Sequence, residues 1–207
     1  DSGDSNAIEV GVKFTPAITA YVTGMRFYKS AANTGTHVGS VWSMSGERLA
    51  TVTFTNETAS GWQQAMFVGG AVRVTAGTTY IVSYHTETGH YSVDDNYFTR
   101  AVDARALVAP SNDTTPNGVY AYGDSAFPAS SRDAANYWVD PIIDTEYSPE
   151  GGQPIPFIVW AVSPGHGGVV ADPNTNVTIT FSRAADPATI NSQSIFVKDT
   201  AKPLEKV

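Results

Sequence analysis

Residues 80–98 read YIVSYHTETGHYSVDDNYF. The first part is apolar and rich in β-branched and aromatic residues, which predicts a β-strand that turns at residues 87–89. Aromatic and acidic side chains then crowd into a predicted loop, where a rigid β scaffold usually carries its binding groups. We interpret this loop as the lip of a ligand site, formed by His90, Tyr91, Asp94, Asp95 and Tyr97. The alternative is that the tyrosines close the end of a sandwich and the aspartates are only solvated.

The residues that precede this stretch predict a series of strands. Residues 8–14 alternate apolar side chains with polar or small ones, which is the pattern of a half-buried strand. Similar runs recur about every ten residues, with turn residues between them, at 21–29, 37–44, 49–55, 62–67, 72–74 and 79–85. This spacing predicts an all-β fold, a jelly-roll-like antiparallel β-sandwich. Trp42 and Trp62 lie in these strands beside periodic apolar residues, so we expect both in the core.

The pattern weakens between residues 94 and 136. Strands are predicted at 119–122 and, less regularly, at 101–109, and a closing strand is predicted at 137–143. A connection of this length is usually functional or disordered, and its aromatic residues argue against disorder. An aromatic plane can pack against the C–H face of a sugar ring while polar groups bind its hydroxyls. We therefore add four residues to the candidate ligand site, Tyr120, Tyr122, Asn136 and Trp138.

Composition excludes several classes of function. The chain has 207 residues and a net charge of -8, and no basic patch stands out, so nucleic acid is not an expected partner. Without cysteine, neither disulfides nor a thiolate metal site can form. No apolar run is long enough to span a membrane, and residues 1–4 do not resemble a signal peptide. We expect a mature or excised fragment without a membrane partner.

The domain organisation follows from composition. We assign residues 1–147 to a jelly-roll-like ligand-binding module and residues 148–156, SPEGGQPIP, to a linker. Residues 157–207 predict three more strands, at 157–163, 176–182 and 194–199, with a helical turn at 186–189. Three strands leave apolar faces and sheet edges uncovered. We therefore expect this segment to associate with a second molecule or to pack on the first module.

Six segments in order carry a family resemblance: HVGSVW (37–42), FTNETASGWQQ (54–64), YIVSYHTETGHY (80–91), PNGVYAYG (116–123), FP (127–128) and NYWVD (136–140). From about Glu9 to Ile143 the chain resembles the bacterial domain-of-unknown-function family 4082. Residues 162–164 and 172–199 resemble the first half of a bacterial Ig-like domain, with Ala185 at the usual methionine position. The resemblance implies a module of a larger secreted, extracellular protein that works beside carbohydrate-active or oxidase-type enzymes.

No motif of a hydrolase, zinc peptidase or nucleotide binder is present. A glycosidase needs only a pair of carboxylates, and these could come from Asp94, Asp95, Asp124 and Asp140. A sandwich without other catalytic markers is, however, more often a binding module. His85 and His90 flank one turn and could approach a metal, but we prefer the reading that His85 lies on a strand face and His90 in the lip.

Jelly-roll sugar-binding modules often hold a structural Ca²⁺ between an N-terminal acid and one near the closing strand. Glu9 and Asp140 occupy comparable places, so we expect them to be calcium ligands, the alternative being that Glu9 faces solvent. The leading hypothesis is a secreted, non-catalytic module that binds polysaccharide or oligosaccharide. The alternative is a structural spacer or adhesion module without a glycan ligand.

Overall fold

The computed structural model describes residues 1–145, 147, 159–163 and 178–181. The chain divides into two compact units, Asp1–Gly151 and Gly152–Val207, with the boundary inside the predicted linker. The strands of the first unit are β1 Ile8–Pro16, β2 Ala20–Lys29, β3 His37–Ser43, β4 Arg48–Thr53, β5 Gly61–Met66, β6 Val72–Val74, β7 Tyr80–Thr86, β8 Val102–Asp103, β9 Leu107–Ala109, β10 Val119–Tyr122, β11 Ser130–Ser131 and β12 Val139–Asp144. No described helix is both long and apolar enough to cross a bilayer.

The first unit is an antiparallel β-sandwich, as the sequence predicts. The larger sheet has the strand order β11-β10-β1-β7-β3-β4, and β9 joins the end of β1 and pairs with β8. The smaller sheet has the order β12-β2-β5, and β6 pairs with the first part of β2. The seven predicted strands between residues 8 and 85 are confirmed with small changes at their ends.

The core lies between the two sheets. Ile8, Val10, Val12 and Phe14 of β1 point into it on alternate positions. From the smaller sheet, Phe27 of β2 packs on Tyr84 of β7, with ring centroids 4.2 Å apart. Because side chains alternate along a strand, the two neighbours of Phe27 in β2, Arg26 and Tyr28, face away from the core. The inward position of Phe27 therefore fixes which side chains of β2 meet solvent.

The long connection between β7 and β10 is ordered by buried groups. A short 3₁₀ turn, Tyr97–Thr99, carries Phe98 into the core. The side chain of Asn117 is buried and bonds to backbone groups of Lys13, Pro110 and Gly118, so it ties the connection to β1. This arrangement confirms the expectation from the aromatic content that the connection is not disordered.

The described part of the second unit is a pair of antiparallel strands, β13 Val159–Ser163 and β14 Thr178–Phe181. They fall within two of the strands predicted from the sequence. The predicted strand at 194–199 and the predicted turn at 186–189 lie outside the described residues, and self-association through this segment stays a prediction.

Replacement of Phe27 by alanine tests the packing between the sheets. A fully buried ring leaves a cavity when it is truncated, so Phe27→Ala should lower the free energy of unfolding by about 3–5 kcal/mol. The matched control is Tyr28→Ala on the same strand, whose side chain lies on the outer face of the sheet at 43% exposure, and it should change stability by less than about 1 kcal/mol. Urea denaturation measures both values, and equal losses would contradict the assigned strand facing.

Candidate functional site

The outward face of the smaller sheet carries a row of aromatic side chains. Tyr28 of β2 is 43% exposed, because its neighbour Phe27 points into the core. Trp62 of β5 pairs directly with Tyr28 and is 41% exposed. Their ring centroids are 5.6 Å apart, and the ring planes are nearly perpendicular, at 89°. Strand alternation and register therefore place two large aromatic rings together in solvent.

Trp138 extends this row from the residue before β12. Its carbonyl accepts a hydrogen bond of 2.8 Å from the backbone N–H of Tyr28. Its backbone is left-handed, with φ of 52°, a conformation that costs energy for a bulky residue. The side chain of Asn136 stabilises it, since Asn136 Oδ1 accepts the Trp138 N–H at 2.9 Å. As a result the Trp138 ring lies 6.4 Å from Trp62 and 5.4 Å from Tyr97.

Asp94 belongs to the same structural unit. Its backbone N–H and C=O pair with those of Asn136, at 3.0 and 2.9 Å. Its carboxylate Oδ2 accepts a hydrogen bond of 3.2 Å from the indole N–H of Trp138. The loop that follows β7 is thereby fixed to the segment that precedes β12, and the carboxylate of Asp94 is exposed beside an indole ring.

Two clefts open on this aromatic row and share Trp62 and Trp138. The first has a volume of about 360 Å³. It is lined by Asp1, Tyr28, Trp62, Ser92, Val93, Asp94 and Trp138. The second, of about 230 Å³, has mostly apolar walls from β1, β9 and β12. Its polar groups are Asn136 and an ion pair, Arg26–Asp140.

Arg26 is held in place on two sides. Its guanidinium group lies 4.3 Å from the ring centroid of Trp62, a cation–π contact. It also binds Asp140 Oδ2 at 2.9 Å, and both side chains of the pair are nearly half exposed. Asp140 therefore compensates the charge of Arg26 at the mouth of the second cleft.

The structure separates the predicted ligand residues into groups. Asp94, Tyr97, Asn136 and Trp138 line the two clefts, and Tyr97 is 39% exposed. Tyr91 is buried at 7% exposure and its ring packs against that of Tyr137, so it contributes to the core. Burial raises the pKa of Tyr91 and Tyr137, which keeps both phenols neutral. Asn136 is also buried, and its part is to hold Trp138.

The remaining candidates lie away from the clefts. His90 Nδ1 is 3.2 Å from Asp1 Oδ1. The hydroxyl of Tyr122 donates to Asp4 Oδ2 at 2.6 Å, which raises the pKa of Tyr122 to about 12. Tyr120 packs edge-on against Tyr122. The exposed carboxylate of Asp95 lies 3.9 Å from Arg132. None of these four predicted residues is among those that line the two clefts, although His90 contacts Asp1, which lines the first.

The prediction that Trp62 belongs to the core is wrong. In β5 the inward residues are Gln63 and Ala65, and Phe67 directly after the strand is buried in the core, which leaves Trp62 and Gln64 on the solvent side. Trp42 is buried as expected, but on the outer face of the larger sheet, against Ile81 and Phe127. Sequence reasoning therefore missed Trp62, Tyr28 and Arg26 as site residues, although alternation along the predicted strand 21–29 puts Arg26 and Tyr28 on the face opposite Phe27.

Glu9 and Asp140, the expected calcium ligands, lie in different sheets. Asp140 is paired with Arg26, while Glu9 is fully buried and accepts hydrogen bonds from Ser83 and Ser125. Among the described residues, no group of three or more His, Asp or Glu side chains is placed to hold a metal ion. His85 Nε2 bonds to the carbonyl of Gly123, at 2.9 Å. Calcium binding by Glu9 and Asp140 stays a prediction that their present partners do not favour.

The buried carboxyl of Glu9 should make stability depend on pH. Burial raises its pKa above the ordinary value of 4.5, although the two serine hydroxyls and His85 oppose this. Protonated Glu9 therefore contributes its full share to the free energy of unfolding below pH 4.5. This share is lost as the pH rises through the pKa that Glu9 has in the folded state. The unfolding free energy of wild type should therefore fall relative to Glu9→Gln as the pH rises above 4.5. Urea denaturation at several pH values measures the difference, and a constant or opposite trend would contradict the burial of Glu9.

Comparison with known proteins identifies the family. The model of the family described as "Domain of unknown function (DUF4082)" matches residues 1–139, which include Tyr28, Trp62, Asp94 and Trp138. No curated protein matches the chain. Because the match covers more than half of the 207 residues, the chain belongs to the DUF4082 family.

Proposed function

We propose that the first unit is a non-catalytic module that binds carbohydrate at the clefts on either side of Trp62 and Trp138. The observation that carries this proposal is the aromatic row on the outward face of the smaller sheet, in which Tyr28 and Trp62 are exposed and Trp138 lies half-buried beside them. Large aromatic rings in solvent forgo the favourable free energy of burial, so an exposed group of them needs a partner. A sugar ring offers such a partner through its apolar C–H face.

The polar groups around the row suit sugar hydroxyls. Asp94 can accept hydrogen bonds from hydroxyl groups in the first cleft, and Arg26 and Asp140 offer donors and acceptors at the second. An apolar surface with a few fixed polar groups is the usual form of a small-ligand site. Asp94, Asn136 and Trp138 hold one another through hydrogen bonds, so this part of the site is formed before a ligand arrives.

The geometry of the rings favours a single glycan chain over a flat crystalline surface. Trp62 stands at 76° to Trp138 and Tyr28 at 89° to Trp62. Rings at such angles cannot all lie against one plane. Two clefts that share a pair of tryptophans instead fit successive sugars of a chain. This role would place the domain outside the cell, as an accessory to an enzyme or an adhesin in the same protein.

Substitution of the shared tryptophans tests the proposal. A glycan array first identifies a soluble oligosaccharide that the full chain binds, and calorimetry then gives its dissociation constant. Trp62→Ala and Trp138→Ala should each weaken binding by roughly tenfold or more, since central aromatic contacts dominate most interfaces. Urea denaturation of Trp62→Ala checks that the fold is retained, which we expect because this ring lies on the outer face of the sheet at 41% exposure.

The matched control is Tyr122→Ala, which removes an aromatic ring that is 57% exposed and lines neither cleft. Its affinity should stay within about twofold of wild type. If wild type binds no glycan or insoluble polysaccharide, the domain is better described as a structural spacer. If Tyr122→Ala loses binding and the tryptophan variants keep it, the site lies elsewhere.

A comparison of ligand forms tests the single-chain geometry. A soluble oligosaccharide should bind more tightly per sugar than the crystalline form of the same polymer, because the angled rings cannot lie together on a flat face. Affinity should also rise from the monosaccharide to the short oligomers as both clefts become occupied. Equal affinity for a monosaccharide and its oligomers would show that one cleft is used.

A further inference from the structure

The first cleft combines aromatic walls with negative charge. Tyr28, Trp62 and Trp138 supply the rings, and the exposed carboxylate of Asp94 lies among them. The only side chain within residues 1–145 that hydrogen bonds to this carboxylate is the neutral indole of Trp138, at 3.2 Å. Among the residues that line the cleft, no basic side chain compensates the negative charge of Asp94.

Asp1 adds a second carboxylate at the margin of the same cleft. Its Oδ1 accepts the backbone N–H of Gly3 at 2.8 Å and lies 3.2 Å from His90 Nδ1. Arg26, whose guanidinium group packs on Trp62, lines the second cleft and is bound to Asp140. No lysine or arginine is among the residues that line the first cleft.

Aromatic rings and a carboxylate attract an ammonium group for separate reasons. The face of each ring is electron-rich and binds a cation within about 6 Å of its centroid. Asp94 adds a direct charge interaction and a hydrogen-bond acceptor. The net charge of -8 also draws cations toward the protein at low salt. An anionic sugar would be repelled by the ring faces, by Asp94 and by the net charge of the protein.

We propose that the first cleft selects a sugar that carries a free ammonium group, so that the ligand is an amino-sugar glycan in its unacetylated form. This inference rests on the proposed function and adds the chemical class of the ligand. The apolar face of the sugar packs on an indole ring, and its ammonium group binds Asp94. Acetylation of the nitrogen removes the positive charge and enlarges the substituent, and a carboxylate on the sugar reverses the charge.

The experiment compares oligomers of equal length that differ in charge. The probes are β-1,4-linked glucosamine oligomers, the same oligomers N-acetylated, and neutral glucose oligomers with the same linkage. Calorimetry on the full chain should show roughly fivefold to tenfold tighter binding of the ammonium form, the range expected for one cation contact. Added salt should weaken this preference, because screening acts on the charged form alone.

Two single-charge variants locate the effect. In Asp94→Asn the amide oxygen can still accept the Trp138 indole N–H, so the cleft keeps its shape while it loses a charge. This variant should reduce the preference for the ammonium form to about twofold or less. The matched control is Asp113→Asn, which removes an exposed carboxylate that lines neither cleft and should leave the preference unchanged.

The outcomes separate this inference from the proposed function. Equal binding of the three oligomers, with a loss in Trp62→Ala, would overturn the ammonium preference and keep the glycan site. If Asp94→Asn and Asp113→Asn reduce the preference equally, the preference comes from the overall charge of the protein, and the inference that the first cleft selects the ammonium group is overturned. Choline that binds as tightly as the glucosamine oligomer would show cation binding without sugar recognition. If no oligomer binds, both proposals fall.

Discussion

The stacking of Phe27 on Tyr84 between the two sheets is the constraint on which the exposed site depends. The rings lie 4.2 Å apart and both are fully buried, so β2 cannot rotate without loss of the core. With Phe27 inside, strand alternation directs Arg26 and Tyr28 outward. The register of β2 with β5 and β12 then places Trp62 beside Tyr28 and Asp140 beside Arg26. The core thus determines the surface.

The other half of the site depends on local structure rather than on strand alternation. Trp138 has a left-handed backbone immediately before β12, and Asn136 and Asp94 hold it there through backbone and side-chain hydrogen bonds. Strained residues of this kind persist where the surroundings determine them, and they are frequent at functional sites. A regular strand at this position would direct the indole differently. The strained backbone of Trp138 is therefore consistent with a functional need for its indole ring at this position.

Sequence reasoning reached the sandwich because the alternation in residues 8–14 and in the following runs marks strands that the structure contains, although β1 is buried on both faces and not half-buried as predicted. It also predicted Asp94, Tyr97, Asn136 and Trp138, which the structure places in the walls of the two clefts, since aromatic and acidic residues stand out in a loop. It missed Trp62 because an aromatic residue in a strand can lie on the core face or on the solvent face. Only the inward position of Phe67 shows which face Trp62 occupies. Tyr91 was assigned to the ligand site because it lies in a loop, but its ring is buried against that of Tyr137. The pairing of β2 with β12 is long-range, and no local pattern reveals it.

We propose that a glycan contacts the indole rings of Trp62 and Trp138. The most direct measurement is the two-dimensional ¹H–¹⁵N spectrum of the indole N–H groups, recorded while a bound oligosaccharide is added. The chain has four tryptophans, and Trp42 is a buried internal reference on the larger sheet. We predict that the signals of Trp62 and Trp138 move together with the binding curve and that the signal of Trp42 does not. Binding without a change at Trp62 and Trp138 would contradict the account.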